Sequence, residues 1–474
     1  MELNLPESLR TVSRRTMLSQ SAMGIGALGL ADLFNRDASA QDLNSDSVMS
    51  VKKPHFVGRA KRVIHFFLNG GPSHVDTFDP KPRLETYGDR TVPNLLPTER
   101  KTGVAFPSPF QFKRYGECGL EVSDLFSKTA AFADDMAVVR SMYAQVPNHE
   151  PSLMLMNCGD SIRSRPSVGS WTLYGLGTEN QNLPGFIAMC PGGYPIKDAE
   201  NWQSGFLPGA YQGTFVDPKE RLVEKLIENI QHSHVSDQLQ QHQLDLLRRL
   251  NQSHRQQRSD ERLDARIQSF ELAFRMQSEA MEAFDLSRET QKTRDLYGDH
   301  VHGRQTLIAR RLAERGVRYI QLWHGAGQPW DHHDNIQANH ERLAKEIDQP
   351  IAALLGDLKQ SGMLEETLVI WGGEFGRTPT VELNNQGQSK LGRDHNHYGF
   401  SVWMAGGGIK GGAVHGATDE LGFKAVENPT SVHDLHATIL HLLGFDHERL
   451  TYRYAGRDFR LTDVHGDVIK AIVA

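Results

Sequence analysis

Five short apolar runs, each ending at a glycine or a polar cluster, constrain this chain more than any other feature. They lie at 62–68 (RVIHFFL), 136–140 (MAVVR), 317–323 (VRYIQLW), 367–371 (TLVIW) and 400–405 (FSVWMA). Runs of this length bounded by turn residues read as buried strands. Helical patterns separate several of them, for example at 303–314 and 339–362, the latter with a kink expected at Pro350. Strands alternating with helices predict an α/β fold with a mostly parallel sheet covered on both faces. In such sheets the chemistry lies just beyond the carboxyl ends of the strands. Polar clusters stand there: Asp76 after the first run, Asn148 and His149 after the second, His324 to Asn335 after the third and Glu374 after the fourth.

The formal net charge of -6, without a concentrated basic face, argues against nucleic acid as a partner. The 22 histidines, many beside Asp, Asn or Gly in the C-terminal half, raise the expectation of a metal site. Cys118, Cys158 and Cys190 have no CxxC spacing, so a thiolate zinc site or redox motif is not expected. They read either as small buried residues or as one disulfide and a spare thiol.

Residues 1–40 read as an export signal. Arg14-Arg15 precede the modest apolar stretch 21–34, and Ala38-Ser39-Ala40 forms a small-residue cleavage site. Paired arginines in this order resemble a twin-arginine signal, which implies the twin-arginine translocase as a partner during export. The stretch is too short for a permanent span, and no later segment holds about twenty uninterrupted apolar residues. The expected location is periplasmic or extracellular. Residues 41–60 read as a flexible linker, 61–474 as the main domain and 217–299, rich in Gln, Glu, Arg and Leu, as a helical insertion within it.

Five places could carry chemistry. Gly70-Gly71 after the first strand allow close backbone approach, with Asp76 placed to bind a cation and Asp79 either a ligand or a turn cap. Ser152, early in a helix behind Asn148-His149, is a candidate nucleophile if a metal lowers its pKa, although a helix N-cap is the preferred role. Asp331 and His333, in Trp330-Asp331-His332-His333-Asp334-Asn335, are spaced to share a metal. Glu374 and Arg377, in Gly372-Gly373-Glu374-Phe375-Gly376-Arg377, offer a carboxylate for a metal and a guanidinium for an oxyanion. Asp394 and His395 precede the 400–405 strand. They reach the common rim only if the loop folds back or that strand runs antiparallel to the others.

The stretches FFLNGGPSHVDTFDPKP, VPNHEPSLMLMNCG, RPSVGSWTLYGLG, WDHHDN, GGEFGRTP, GRDHNHYGFSVWMAGGGIKGG and SVHDLHATILHLLGF together resemble the domain-of-unknown-function 1501 family. That family is a branch of the alkaline phosphatase and sulfatase superfamily. The resemblance implies a three-layer α/β/α sandwich with metal ligands at the strand ends. Asp76 resembles the first-strand ligand, Asp331 and His333 the middle pair, Glu374 the late acidic ligand and His395 the final histidine. Two departures stand out: Gln145 occupies the usual nucleophile position, and Phe375 follows Glu374 where alkaline phosphatase has a histidine.

The resulting expectation is a metal-dependent hydrolase of phosphate or sulfate esters. Its substrate would be an anionic small-molecule or glycan ester, and Arg377 would steady the oxyanion while metal-activated water, or less readily Ser152, attacks. The alternative is a non-catalytic metal- or anion-binding envelope protein on the same fold. Mixed oxygen and nitrogen ligands suit Zn or Mn better than Ca.

Overall fold

The computed structural model describes residues 49–226 except 89, 93 and 94, scattered positions between 239 and 250, and residues 279–474. The expected export signal lies outside these residues, as does most of the expected 217–299 insertion. The apolar runs become strands of a nine-stranded sheet. Its members are β1 (Arg62–Phe67), β2 (Met136–Tyr143), β3 (Phe186–Met189), β4 (Thr214–Val216), β5 (Tyr319–Trp323), β6 (Thr367–Gly372), β7 (Phe400–Ala405), β8 (Ala413–His415) and β9 (Thr430–Ser431). The order across the sheet is β8-β2-β7-β6-β1-β5-β3-β4, and β9 also pairs with β2.

β1 runs parallel to β5 and β6, β3 parallel to β4 and β5, and β8 and β9 parallel to β2. Among the described strands of this sheet only β7 is reversed, antiparallel to both β2 and β6. The reversal has a functional consequence. The residues that lead into β7 arrive at the same rim as those that leave β1, β2, β5 and β6, so His395 meets Asp331 there.

Side chains alternate between the two faces of each strand, as the pleat requires. Ile64 and Phe66 of β1 join one core, Val63 and Phe67 the other. Helices α1 (His149–Cys158), α2 (Val168–Leu176), α3 (Val301–Glu314), α4 (Ile336–Gln360) and α5 (Val432–Leu442) cover the sheet. α3 and α4 pack on the first face, burying Leu307, Leu312, Ile347 and Leu354. α1, α2 and α5 pack on the second through Leu153, Trp171 and Ile439. The architecture is a three-layer α/β/α sandwich with a mostly parallel sheet.

α4 places Leu343, Ile347, Ile351, Leu354 and Leu358 at helical spacing toward the sheet, and this buried stripe carries the helix unbroken through Pro350. The described part of the expected flexible linker, from Met49, is held: Lys52 N–H bonds the Leu176 carbonyl at the end of α2, and Ala60 N–H bonds Leu442 at the end of α5. All three cysteines are free thiols, Cys158 and Cys190 buried and Cys118 exposed.

Trp403 on β7 lies stacked with Trp371 on β6, ring centroids 6.3 Å apart, and both are buried. Trp403→Ala is expected to lower the unfolding free energy by about 3–5 kcal/mol in a denaturant titration. Val414→Ala, at an exposed position on the edge strand, should change it by less than about 0.5 kcal/mol.

Candidate metal centre

The loops leaving β1, β2, β5 and β6, and the one entering β7, converge on Asp331. Two glycines let them close. Gly70 holds φ +112, and a Cβ there would lie 2.5 Å from the Asp331 backbone nitrogen. A Cβ on Gly392 would lie 2.1 Å from the His333 carbonyl carbon. Only glycine permits such backbone contact.

Three histidines approach one carboxylate oxygen. The Nε2 atoms of His333, His395 and His149 lie 2.9, 3.1 and 3.3 Å from Asp331 Oδ1. Each ring is backed by a carboxylate at its other nitrogen. His149 Nδ1 meets Glu374 Oε1 at 2.7 Å, His395 Nδ1 meets Glu99 Oε2 at 2.7 Å, and His333 Nδ1 pairs with Glu382 Oε2. Each ring thus lies between two carboxylates, and as a neutral imidazole it can donate to only one of them. A ring nitrogen left unprotonated against a carboxylate oxygen needs a proton or a cation between them. The buried His149 Nε2, His333 Nε2, Glu374 Oε2 and Asp394 Oδ1 make no hydrogen bond, although both ring nitrogens lie close to Asp331.

The electrostatics agree. Burial pushes the Asp331 carboxyl up, but hydrogen bonds from His149, His333 and His395 and the charge of Arg377 together hold it well below the usual range. Burial pulls the His395 imidazole down to about 2, so this ring is neutral. Burial also opposes the charged form of His149, yet Asp331 and Glu374 outweigh it and raise that ring.

Three sets of side chains here have ligand atoms within 4.8 Å of one another: His149–Asp331–His395, Glu99–Asp394–His395 and His333–Glu382–Asp394. Among the residues expected from the sequence, Asp331, His333 and His395 come together. Glu374 touches the group through His149 and the Gly70 N–H at 2.9 Å. Asp76 stands apart. Its carboxylate is fully buried and bound by Arg393, Oδ2 to Nε at 2.7 Å and Oδ1 to Nη2 at 3.1 Å, and by Ser73 Oγ at 2.5 Å.

Arg377 is fully buried. Its donors go to the carbonyls of Gly70, Gly71 and Arg393 and to Asp331 Oδ1 at 2.7 Å, so it braces the loops and the carboxylate. Its partner across a short ladder is His395, Gly376–Arg377 pairing with His395–Asn396. The helix that holds Ser152 starts earlier than an N-cap at that position would allow: Asn148 is the N-cap, and Ser152 Oγ donates to the Val146 carbonyl at 2.9 Å. Phe375 packs against His149 and His395, ring centroids 4.8 and 4.6 Å away. Where an imidazole was expected after Glu374, the chain thus supplies an apolar wall, and His149 brings an imidazole from α1. Asp79 accepts from Thr418 and pairs with Lys81 at 3.0 Å, and Asp79 belongs to none of these sets.

His332 turns away from its neighbour His333. Its Nδ1 lies 2.8 Å from His340 Nδ1, while His340 Nε2 accepts from the Ser73 N–H at 3.1 Å. Burial lowers both imidazoles, His332 to about 3. Glu99 and Glu382 carried no sequence signal, because each matters only through the ring it orients. His149 stood in view beyond the second strand, where a ligand would be sought.

A family model described as Protein of unknown function (DUF1501) matches residues 60–473, and the chain belongs to that family. No curated protein matches the sequence. Several solved structures are similar. A sulfatase from Pseudoalteromonas is 12% identical, with 84% of this chain and 69% of that chain covered and a TM-score of 0.34. The alkaline phosphatase of the Antarctic bacterium TAB5 is 10% identical, with coverages of 82% and 99% and a TM-score of 0.34. The lipoteichoic acid synthase LtaP from Listeria monocytogenes is 12% identical, with coverages of 90% and 80% and a TM-score of 0.32.

Asp76→Ala leaves the Arg393 guanidinium buried without its counter-charge and is expected to cost about 3–5 kcal/mol in urea unfolding. The bound-metal content of the folded variant should be unchanged. Loss of metal with little loss of stability would instead place Asp76 in the coordination shell.

Proposed function

We propose that this DUF1501 family member is an exported, metal-dependent hydrolase of phosphate or sulfate esters. The observation that carries the reading is the set of three carboxylate-backed imidazoles aimed at one oxygen of Asp331. Asp331, His149 and His395 would hold the principal cation. Glu374, Glu382 and Glu99 fix the rings, as outer carboxylates do for metal-bound histidines. The mixed nitrogen and oxygen donors favour Zn or Mn over Ca. Such a cation supplies Lewis acidity that polarises an ester and lowers the pKa of a water.

The protein's own contribution is placement. Asp331, His333 and Glu99 keep side-chain exposures of 21%, 12% and 30%, so the cluster opens to solvent on their side. An anionic small-molecule or glycan ester would enter there. Arg377 holds the Asp331 carboxylate and the Gly70 and Gly71 backbone in place, a positioning role. Water is the nucleophile in this reading, since Gln145 has no nucleophilic atom and the Ser152 hydroxyl is engaged with Val146. Export through the twin-arginine route rests on Arg14-Arg15 and the cleavage site at Ala38-Ser39-Ala40. Among the described residues no helix is long and apolar enough to cross a membrane.

The same engagement of Ser152, with every arginine contact of Arg377 spent inside the protein, favours a second reading: a metal- or anion-binding envelope protein without turnover. Chromogenic phosphate and sulfate esters assayed with added Zn, Mn or Ca separate the two. Hydrolysis is expected with Zn or Mn, falling at least about 100-fold in kcat/KM for Asp331→Ala. No hydrolysis with any metal, by protein that binds the ion, would support the second reading. Chelation by EDTA is expected to abolish activity, and re-addition of the ion to restore it.

A further inference from the structure

A separate histidine cluster lies in the helical layer formed by α3 and α4. His302 stands in the first turn of α3, His324 directly follows β5, and Glu346 lies on α4. Glu346 Oε2 is 3.4 Å from His302 Nε2 and 3.1 Å from His324 Nε2, with the two ring centroids 4.3 Å apart. One ligand atom from each lies within 4.8 Å of the others.

Gln305 settles which nitrogen of His302 is protonated. Its amide nitrogen donates to the carbonyls of Met189 and Trp323, each at 3.0 Å, so its oxygen is the atom 3.0 Å from His302 Nδ1. That oxygen can only accept, which puts the ring proton on Nδ1. The neutral ring then directs its Nε2 lone pair at a carboxylate oxygen. Two acceptors face each other stably only with a proton or a cation between them. Gln305 therefore stands to His302 as an outer hydrogen-bond partner stands to a metal-bound histidine. His324 is buried, and its Nδ1 has no hydrogen-bond partner. Glu346 is 36% exposed, so any remaining coordination positions open to water.

We propose that His302, His324 and Glu346 form a second divalent transition-metal site, of the two-histidine, one-carboxylate kind that suits zinc. It uses none of the residues around Asp331 and does not rest on the hydrolase reading. The three ligands come from α3, the loop after β5 and α4. A cation there ties both helices to the loop that continues through the buried Trp330, whose ring lies edge-on to His324 at 5.5 Å, to Asp331. Its role is to clamp that loop.

The test uses full-length protein in which Asp331→Ala, His333→Ala and His395→Ala disable all three ligand sets around the first centre. Co2+ is titrated in and read by its visible ligand-field absorption, and Zn2+ is counted by competition with a chromogenic chelator. One equivalent is expected to remain in this background. It should be lost, or weakened at least about 100-fold, on further change of His302→Ala or Glu346→Gln. A folded background that binds no ion would overturn the proposal, as would a remaining equivalent that both changes leave in place. Should the background fail to fold, Glu346→Gln in the otherwise unchanged protein decides the matter: zinc content must drop by one equivalent, and an unchanged content refutes the site.

Discussion

The site depends on three imidazoles crowded between carboxylates, with two carboxylate contacts to each ring. Three rings, each held by a carboxylate at Nδ1, direct Nε2 toward Asp331 Oδ1. Arg377 offers this oxygen one hydrogen bond, and four strand-end loops and the Gly392 turn hold the rest of the geometry. The clustering of carboxylates around the rings favours positive charge, which Arg377 supplies in part and a bound cation would supply in the proposed reading.

The sheet is what brings these groups together. β2, β7, β6, β1 and β5 are consecutive across it, and their loops share one rim because β7 alone is reversed. The buried Asp76–Arg393 pair and the Arg377 contacts lock the loops without entering the ligand sets. The chain thus separates two uses of charge, one for bracing and one for binding.

Much of this was legible in the sequence. The apolar runs marked the sheet, and the polar clusters behind them held Asp331, His333, Glu374 and His395, which the fold gathers at one rim. The less legible part concerns partnership. Asp76 carries the same signal as a ligand, yet Arg393, more than three hundred residues later, takes its carboxylate. Glu99 and Glu382 acquire meaning only from the rings they orient. Adjacent residues also diverge, since His332 and His333 leave one turn in different directions and only the fold shows which one faces Asp331. Pro350 lies inside α4, which remains one helix from Ile336 to Gln360 with buried residues on both sides of the proline.

The most direct measurement is anomalous diffraction at the zinc edge, on crystals of protein supplied with zinc and never exposed to chelator. The account requires a peak bonded to Asp331 and to the Nε2 atoms of His149 and His395, at about 2.0–2.2 Å. Crystals in which those rings contact Asp331 directly, with no anomalous density between them, would contradict it.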